Sequence, residues 1–547
     1  MPHDLKFLTD NELNLITAKP GLEAKSHQII GVDRLLGHSF FALFDEMGAG
    51  KTKQVIDAAQ LLYVRADIDT VIVVCPAAVR SVWVEPELGQ IKLHAFDNVP
   101  IEVWEYHSRT KKFRLGPPSN DPLRFIVTNY DFIRSQERLD GLTAMMGPGT
   151  MLVVDESSAV KSHKSLQTKA VMKLRKMCSR VVLLNGTPIA NNPLDMYAQG
   201  NIMSPNILEL KTFSHFKAKY CIMGGFLQKQ VVGWQNLEDM QRRFAPYVLR
   251  RLKKDCLDLP EKLSPAVISV PLTPATWVIY KQMRDDLVSY LTDEVAAVAR
   301  HAAVKAIRLS QVTSGFLGGL EELARDPNAI HDDQTELDDA LDYTDSGTIS
   351  ELTGLSTSHS GGLAVKLPTR EISREKLDAF LDWYHIAISQ DKNLKLLVWC
   401  RFRAELARLV KEFQLVHPKV EVGTIWGTQK RDEREHALRL LDPRTAPSGP
   451  VLVVGTPQTG SMGLNLTAAH TVVYVSNDYS LKTRLQSEDR VHRPGQTEAV
   501  SYFDVIACGP SGQRTIDHAI IKALRTKSDI ANWTTKAWLE ALSDESK

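Results

Sequence analysis

The sequence predicts an α/β fold in which two parallel-sheet lobes follow one another in tandem, with helical insertions. Two observations predict it. Each half of the 547-residue chain contains short apolar runs, rich in Val, Ile, Leu or Phe, separated by polar stretches of helical length. The runs are apolar at successive positions rather than at alternate ones, which is typical of strands buried on both faces of a parallel sheet.

Ten of these runs are predicted to be strands. In the first half they lie at residues 40–44, 70–75, 125–128, 151–154 and 181–184. In the second half they lie at residues 396–399, 422–425, 451–455, 471–475 and 502–506. Two α/β sheets in series are the simplest account of this repeated pattern.

A helical insertion is predicted between the two sets of strands. Pro274 follows Thr273 at a favourable first helical position. Apolar residues then recur at helical spacing, at Val278, Met283, Leu287, Leu291, Val295 and Val298. We expect a first lobe at 1–265, with a helical insertion at about 195–245, and a second lobe at 266–547, with an insertion at about 273–318.

An acidic segment follows this insertion. Between Glu321 and Ser350 there are ten carboxylates and one arginine, a local balance of −9. Because the whole chain has a net charge of +1, the other 517 residues sum to +10. The stretch at about 320–366 is also rich in Ser, Thr and Gly, so we expect an acidic flexible loop beside a mildly basic body.

Composition argues against a membrane or secreted protein. Apolar residues make up 43% and charged residues 24% of the chain, and no apolar run approaches the roughly 20 residues that a membrane helix needs. The first 25 residues lack the apolar core of a secretory signal. The six cysteines are far apart, without the close spacing of a zinc site or redox pair. We therefore expect reduced thiols in a cytoplasmic protein.

A phosphate-binding loop is predicted after the first strand. The sequence Asp-Glu-Met-Gly-Ala-Gly-Lys-Thr begins at Asp45 and leads into a helix. Gly48 and Gly50 allow backbone amides to approach phosphate oxygens. Lys51 would reach the outer phosphates, and the Thr52 hydroxyl would bind Mg²⁺. The longer form of the motif has glycine in place of Asp45, and the alternative is a glycine turn that caps a helix beside a surface lysine.

Two adjacent carboxylates follow the strand predicted at 151–154. Asp155 and Glu156 stand at its carboxyl end, where ligands bind in parallel sheets. Asp155 could hold Mg²⁺, and Glu156 could orient the attacking water. Because the pair lies about a hundred residues after a phosphate loop, we interpret it as catalytic rather than as an ordinary loop.

A third group of polar residues lies near the end of the second lobe. Gln486, Arg490 and Arg493 are spaced at i, i+4 and i+7, which predicts that they share one face of a helix that Pro494 and Gly495 terminate. The two arginines are either surface charge or arginine fingers that reach the γ-phosphate.

Together these segments resemble the Swi/Snf family of helicase-related ATPases within superfamily two, over about residues 25–496. Three further segments carry the resemblance: Leu-Asn-Gly-Thr-Pro-Ile-Ala-Asn at 184–191, Leu-Arg-Arg-Leu-Lys at 249–253 followed by Leu-Pro-Glu-Lys at 259–262, and Gly-Leu-Asn-Leu-Thr-Ala-Ala at 463–469. Tyr479-Ser480-Leu481, where the family has Trp-Asn-Pro, is similar to short phage or bacterial mobile-element forms. The resemblance implies two RecA-like lobes, with the motifs of the second at about 395–496.

The resemblance also implies a role for each group of residues. The nucleotide would be bound by His27, Gln28, Met47, Gly48, Ala49, Gly50, Lys51 and Thr52. Catalysis would depend on Lys51, Asp155, Glu156, Gln486, Arg490 and Arg493, with Mg²⁺ held by Thr52 and Asp155. DNA would be contacted by Pro76, Arg80, Trp83, Asn129, Tyr130, Thr456 and Gly463.

Three interpretations of the function remain open. The resemblance favours a monomeric motor that uses ATP and Mg²⁺ to move along double-stranded DNA, or along single-stranded or branched DNA, without a membrane partner. It would work in the cytoplasm of a bacterial or phage-infected cell, near the nucleoid, or in a nucleus if the source is eukaryotic. The alternatives are a strand-separating DNA or RNA helicase and a silent nucleic-acid clamp. The acidic loop would be a solvated linker or a gate that competes with DNA.

Overall fold

A computed structural model of the protein describes residues 5–77, 79–86, 89–108, 110–186, 193–210, 212–224, 230–289, 306–317, 370–427, 429, 431–461 and 465–528. The chain divides into two compact units. The first is formed mainly by Met1–Ile222 and Gly233–Leu259, and the second by Met223–Val232 and Pro260–Thr526. Among the helices of the described residues, none is long and apolar enough to cross a membrane.

The first unit is built on an eight-stranded sheet. Its strands are β1 (Phe40–Leu43), β2 (Thr70–Cys75), β3 (Ile101–Glu105), β4 (Lys111–Leu115), β5 (Leu123–Asn129), β6 (Thr150–Asp155), β7 (Arg180–Leu184) and β10 (Val248–Leu249). Two short strands between β7 and β10 in the chain, β8 (Cys221–Gly224) and β9 (Gln230–Trp234), pair with each other. The order in the sheet is β10-β1-β7-β6-β2-β5-β3-β4, and the pairs are parallel except β3 with β4. All five strands predicted in the first half are present.

Helices cover both faces of this sheet. They are α1 (Asp10–Thr17), α2 (Ser26–Gly37), α3 (Lys51–Val64), α4 (Arg80–Val84), α5 (Gln90–His94), α6 (Gln136–Thr143), α7 (Leu166–Arg175), α8 (Asp195–Met203), α9 (Pro205–Leu208), α10 (Phe213–Tyr220), α11 (Leu237–Phe244) and α12 (Lys253–Cys256). Short 3-10 helices lie at Phe132–Arg134, Ser157–Val160 and Ala245–Tyr247.

The two faces of β2 show why its residues are uniformly apolar. Val71 and Val73 pack into one hydrophobic cluster, with residues of α2 and α3. Ile72 and Val74 pack into a second cluster, with residues of α8, α10 and α11. Each buried Val or Ile contributes about 1.5–3 kcal/mol relative to an exposed one, so the sheet is stabilised from both sides.

The second unit contains a six-stranded sheet in which the pairs are parallel. The strands of this unit are β11 (Ala266–Pro271), β12 (Phe316–Leu317), β13 (Arg370–Glu371), β14 (Lys395–Trp399), β15 (Glu421–Ile425), β16 (Val451–Gly455), β17 (Thr471–Tyr474) and β18 (Ser501–Cys508). The sheet order is β11-β18-β17-β14-β16-β15, and β12 pairs separately with β13. The five strands predicted in the second half are present, and the predicted fold class is confirmed.

The helices of the second unit include α13 (Pro274–Ser289), α14 (Glu375–Gln390), α15 (Arg403–Val416), α16 (Arg431–Leu441) and α17 (Leu481–Glu488), with a 3-10 helix at Pro457–Ser461. Residues 306–313 and 516–526 are also helical. The predicted start of α13 at Pro274 is confirmed. On α13, Val278 is 47% exposed, whereas Thr276 and Tyr280 are buried and Met283 packs against the cluster that contains Tyr280. The predicted positions from Leu291 to Val298 and the acidic loop at about 320–366 lie outside the described residues.

Candidate nucleotide site and nucleic-acid-contacting segments

The predicted phosphate loop joins β1 to α3, which begins at Lys51 as expected. Gly48 and Gly50 have φ angles of 79° and 76°, in the left-handed region that favours glycine. A Cβ atom on Gly50 would also lie 2.1 Å from the Gln28 Nε2 atom. The loop therefore requires glycine here and presents the unpaired amides at the start of α3, a site suited to phosphate.

Lys51 lies folded back over this loop. Its ammonium group donates to the Asp45 carbonyl oxygen at 2.7 Å and to the Glu46 carbonyl oxygen at 3.2 Å. Burial lowers the pKa of Lys51, against the opposing charges of Glu156, Asp45 and Asp155. The structure thus brings Lys51 and the predicted acidic pair into one electrostatic environment. Thr52 follows on α3 and is partly exposed.

Asp155 ends β6 and is held by three hydrogen bonds. Its Oδ1 atom accepts from the Glu156 amide at 2.9 Å, and its Oδ2 atom accepts from the Trp83 indole nitrogen at 2.9 Å. The Tyr130 hydroxyl donates to its carbonyl oxygen at 2.5 Å. Glu156 has a φ of 52°, a left-handed conformation that costs energy for a residue with a side chain. Such strain is common at functional sites.

The acidic pair is electrostatically unfavourable without a cation. Burial, and next the charge of Glu156, raise the pKa of Asp155 to about 6. Since this value lies above that of the unfolded chain, the native state binds the proton more tightly, and stability is lost as pH rises from about 4 to about 6.

Asp155→Asn is therefore expected to stabilise the protein in EDTA. The gain in unfolding free energy should be roughly 1–2 kcal/mol at pH 5 and about 3 kcal/mol at pH 8, because the buried charge is removed. Chemical denaturation at both pH values measures it. Asp97→Asn, at an exposed carboxylate, is the control and should change stability by less than about 0.5 kcal/mol. An Asp155→Asn protein less stable than wild type at pH 8 would contradict the assignment.

Two residues that the resemblance assigns to nucleotide binding, His27 and Gln28, contact the phosphate loop. The His27 Nε2 atom lies 2.9 Å from the Ala49 carbonyl oxygen, and the Gln28 Nε2 atom donates to the same oxygen at 3.4 Å. Both side chains are buried at the start of α2. Met47 is also buried, and a Cβ atom on Gly186 would lie 2.4 Å from the Met47 Cγ atom. Nucleotide binding by these residues stays a prediction.

The structure adds two residues to the site that the sequence motifs do not indicate, Arg250 and Arg251. Arg251 donates from Nε to Asp45 Oδ1 at 2.9 Å and from Nη2 to Asp45 Oδ2 at 2.5 Å. Arg250 donates to the carbonyl oxygen of Gly186 at 2.6 Å and to that of Phe44. The sequence contains one signal of the contact with Arg251, which is that Asp45 stands where the longer motif has glycine. A buried carboxylate needs a cation nearby. The segment at 249–253 thus holds the base of the phosphate loop.

The predicted DNA-contacting residues of the first unit follow β2 and β5, which neighbour each other beside β6. Pro76 comes directly after β2, and Arg80 forms an ion pair with Glu105 at 2.6 Å. Asn129 accepts from the Phe132 amide at 2.8 Å. Asn129, Tyr130 and Trp83 are buried, whereas the Arg80 side chain is 19% exposed. A direct contact between these side chains and DNA stays a prediction.

In the second unit, the predicted common helical face of Gln486, Arg490 and Arg493 is wrong. Helix α17 ends at Glu488, so Gln486 lies on the helix while Arg490 and Arg493 lie in the turns that follow. The reason is tertiary: the Arg490 carbonyl oxygen accepts from the Leu466 amide at 3.1 Å. Burial lowers the pKa of Arg493. Their catalytic roles stay a prediction.

A buried network of charges supports this segment. Arg484 pairs with Glu488 at 2.6 Å and with Asp504 at 2.5 Å, and Lys262 pairs with Glu488 at 2.6 Å. Burial raises the pKa of Glu488, but the charges of Lys262 and Arg484 lower it to about 2. The His492 ring also hydrogen-bonds with the Pro260 carbonyl oxygen at 2.8 Å. The segment that enters the second unit is therefore tied to the arginine-bearing turns.

Thr456 follows β16, and its amide donates to the Ile425 carbonyl oxygen at 3.0 Å. Its side chain is buried, so its role in DNA contact stays a prediction. Gly463 and residues 187–191, which carry part of the resemblance, lie outside the described residues.

A glycine loop at the start of a helix, with a lysine and an acidic pair at the carboxyl edge of a parallel sheet, defines the class of phosphate-loop α/β proteins. The family model of the SNF2-related domain matches residues 37–329, and that of the helicase conserved C-terminal domain matches residues 375–495. The chain belongs to the SNF2-related family.

Curated relatives are similar over most of this chain. The TATA-binding protein-associated factor MOT1 of Saccharomyces cerevisiae is 25% identical over 534 residues, which cover 90% of this chain and 26% of that protein. Protein CHROMATIN REMODELING 19 of Arabidopsis thaliana is 24% identical over 561 residues, covering 92% of this chain and 68% of that protein. The chain thus spans about a quarter of the length of MOT1.

Among solved structures, the Sulfolobus solfataricus SWI2/SNF2 ATPase core in complex with dsDNA is 20% identical, with a TM-score of 0.38. The match covers 96% of this chain and 97% of that one.

Proposed function

We propose that this chain is an ATP-dependent translocase on double-stranded DNA. The observation that carries the proposal is that Lys51, at the start of α3, lies within electrostatic reach of Asp155 and Glu156, which follow β6 in the same sheet. These are the groups that phosphoryl transfer requires: a cation for the outer phosphates, a ligand for a metal ion and a carboxylate that orients water. Family membership also supports an ATP-dependent activity on DNA, since the models of the SNF2-related domain and of the helicase C-terminal domain both match the chain.

The residues fit ATP and Mg²⁺. The Thr52 hydroxyl and the Asp155 carboxylate are oxygen ligands, and Mg²⁺ commonly takes one or two such protein ligands together with substrate phosphates and water. Bound Mg²⁺ would neutralise charge on the transferring phosphoryl group. Lys51 would exchange its carbonyl contacts for phosphate oxygens, and Glu156 would orient and polarise the attacking water. Gln28 and His27 would release the Ala49 carbonyl oxygen when they bind the base.

Movement along DNA requires that ATP hydrolysis depend on the conformation of the protein, so residues of the second unit must also contribute to catalysis. We propose that the two units are RecA-like lobes, at 1–265 and 266–547, and that Arg490 and Arg493 of the second lobe stabilise the transition state in the closed state. Grip on the same DNA strand by both lobes, alternating with ATP binding and hydrolysis, would then produce steps along the duplex. Contacts to the backbone make such a motor tolerant of sequence and sensitive to salt.

We further propose that the motor works as a monomer on duplex DNA, in the cytoplasm of a bacterial or phage-infected cell. The mild positive charge of the chain outside residues 321–350, +10 in total, supports association with DNA.

Displacement of a third strand tests translocation directly. A triplex-forming oligonucleotide on a long duplex should be released in the presence of ATP and Mg²⁺, because a motor that tracks along the duplex removes it without separating the duplex strands. The Lys51→Ala variant should release no more than the background. Strand separation on a forked duplex, without triplex release, would instead indicate a helicase.

A further inference from the structure

Two buried side chains from different segments converge on Asp155. The Trp83 indole nitrogen donates to Asp155 Oδ2 at 2.9 Å, and the Tyr130 hydroxyl donates to the Asp155 carbonyl oxygen at 2.5 Å. Trp83 lies on α4 after β2, Tyr130 directly follows β5, and Asp155 ends β6. These three strands are neighbours in the sheet, in the order β6-β2-β5, so their carboxyl ends lie side by side.

These hydrogen bonds restrict the orientation of the carboxylate. Trp83 is 0% exposed and Tyr130 is 3% exposed, so water does not compete with them. Among the described residues, each carboxylate oxygen of Asp155 has one donor, Trp83 on Oδ2 and the Glu156 amide on Oδ1. Because a carboxylate oxygen has two lone pairs, each retains a position for a further partner. The donors therefore restrict the plane of the carboxylate and leave each oxygen a lone pair that a cation could bind.

The same short helix provides a connection to the surface. Arg80 precedes Trp83 by one helical turn on α4, and its Nε atom contacts the Glu105 carboxylate at 2.6 Å. Both of these side chains are 19% exposed. A DNA phosphate that draws Arg80 away from Glu105 would shift α4 and hence the indole that holds Asp155.

We propose that Trp83 and Tyr130 are positioning residues that transmit DNA binding to the magnesium carboxylate Asp155. This inference rests on the proposed function and specifies how DNA would stimulate hydrolysis. Neither side chain needs to touch the nucleotide or the DNA. Their buried hydrogen bonds connect two segments that the family resemblance assigns to DNA with the residue that ends β6.

The chain provides matched controls for the test. Trp83→Phe removes the indole donor, and Tyr130→Phe removes one hydroxyl. Trp399 and Tyr384 of the second unit are equally buried, and among the described residues the Trp399 indole nitrogen and the Tyr384 hydroxyl have no hydrogen-bond partner. Trp399→Phe and Tyr384→Phe therefore make the same chemical changes without removing a hydrogen bond.

ATP hydrolysis is measured for the five proteins with and without duplex DNA, together with KM for ATP, Kd for DNA and the Mg²⁺ concentration that gives half-maximal rate. Trp83→Phe should lower the ratio of stimulated to basal kcat about tenfold, and Tyr130→Phe about threefold to tenfold, the scale of one buried hydrogen bond. Both should need more Mg²⁺, with KM and Kd within about twofold of wild type. The two control variants should match wild type.

The possible failures are distinguishable. If wild-type hydrolysis does not respond to DNA, the proposed function fails. If wild type responds and Trp83→Phe and Tyr130→Phe behave like their controls, the positioning role is overturned. A loss confined to KM or Kd, or an equal loss of basal and stimulated rates, also contradicts it, because neither result requires a link between DNA and Asp155.

Discussion

Arg493→Ala is expected to lower DNA-stimulated kcat by about 10³- to 10⁵-fold, the range observed when an arginine finger is removed. The reason is that an arginine finger stabilises charge that develops on the phosphoryl group in the transition state, while it contributes little to ground-state binding. KM for ATP and Kd for DNA should therefore stay within about threefold of wild type.

The structure makes Arg493 a suitable candidate because its backbone is fixed. The Arg493 carbonyl oxygen accepts from the Gln496 amide at 3.0 Å, and the Gln496 side chain donates to the Ala469 carbonyl oxygen at 2.8 Å. Arg444→Ala is the matched control in the same unit, since the Arg444 side chain is 81% exposed and its ion pair is with Asp442, two residues away. Near-normal turnover of Arg493→Ala would remove the assigned role.

Arg251→Ala is expected to destabilise the first unit by about 3–5 kcal/mol, because removing one partner of a buried ion pair leaves the other charge without compensation. The Asp45 side chain is 0% exposed and the Arg251 side chain is 14% exposed. Arg251 also donates to the Gln54 side chain at 3.1 Å and to the His27 carbonyl oxygen. KM for ATP should rise as well, since Asp45 begins the phosphate loop.

Thermal and chemical denaturation measure this effect. Arg242→Ala is the matched control, because the Arg242 side chain is 79% exposed and its ion pair with Asp239 is long, at 3.4 Å; exposed pairs contribute about 0–1 kcal/mol. The double variant Asp45→Leu/Arg251→Met should recover part of the lost stability, since it leaves no unpaired charge. An Arg251→Ala protein as stable as wild type would show that the pair does not support the loop.

The strands of both units could be predicted from the sequence where they are buried on both faces. β2 and β16 match the predicted runs at 70–75 and 451–455 residue for residue. The strands that the prediction missed carry different patterns. β3 and β4 form an antiparallel pair at the edge of the sheet, with alternating or exposed side chains, and β11 is mostly exposed. Continuous apolar runs identify strands that are buried on both faces, whereas the burial of β3, β4 and β11 is alternating or slight.

The candidate site also contains some residues that the sequence predicts and others that it does not. The phosphate loop and the acidic pair are local motifs, and the sequence was sufficient to place Lys51 at the start of a helix and Asp155 at the end of a strand. Arg251 and Asp45 are 206 positions apart, so nothing in either local sequence indicates that they meet. The end of α17 was predicted too late, since Pro494 marks a helix limit while the contact between Arg490 and Leu466 ends the helix earlier.

Steady-state ATP hydrolysis tests the central claim most directly. The rate would be measured without nucleic acid and with duplex DNA, single-stranded DNA or RNA, using Lys51→Ala as the control. We expect strong stimulation by duplex DNA that is abolished in the variant, since Lys51 is the cation of the phosphate loop. Stimulation by single strands or RNA alone would indicate an unwinding enzyme, and the absence of hydrolysis under every condition would contradict the account and favour a silent clamp.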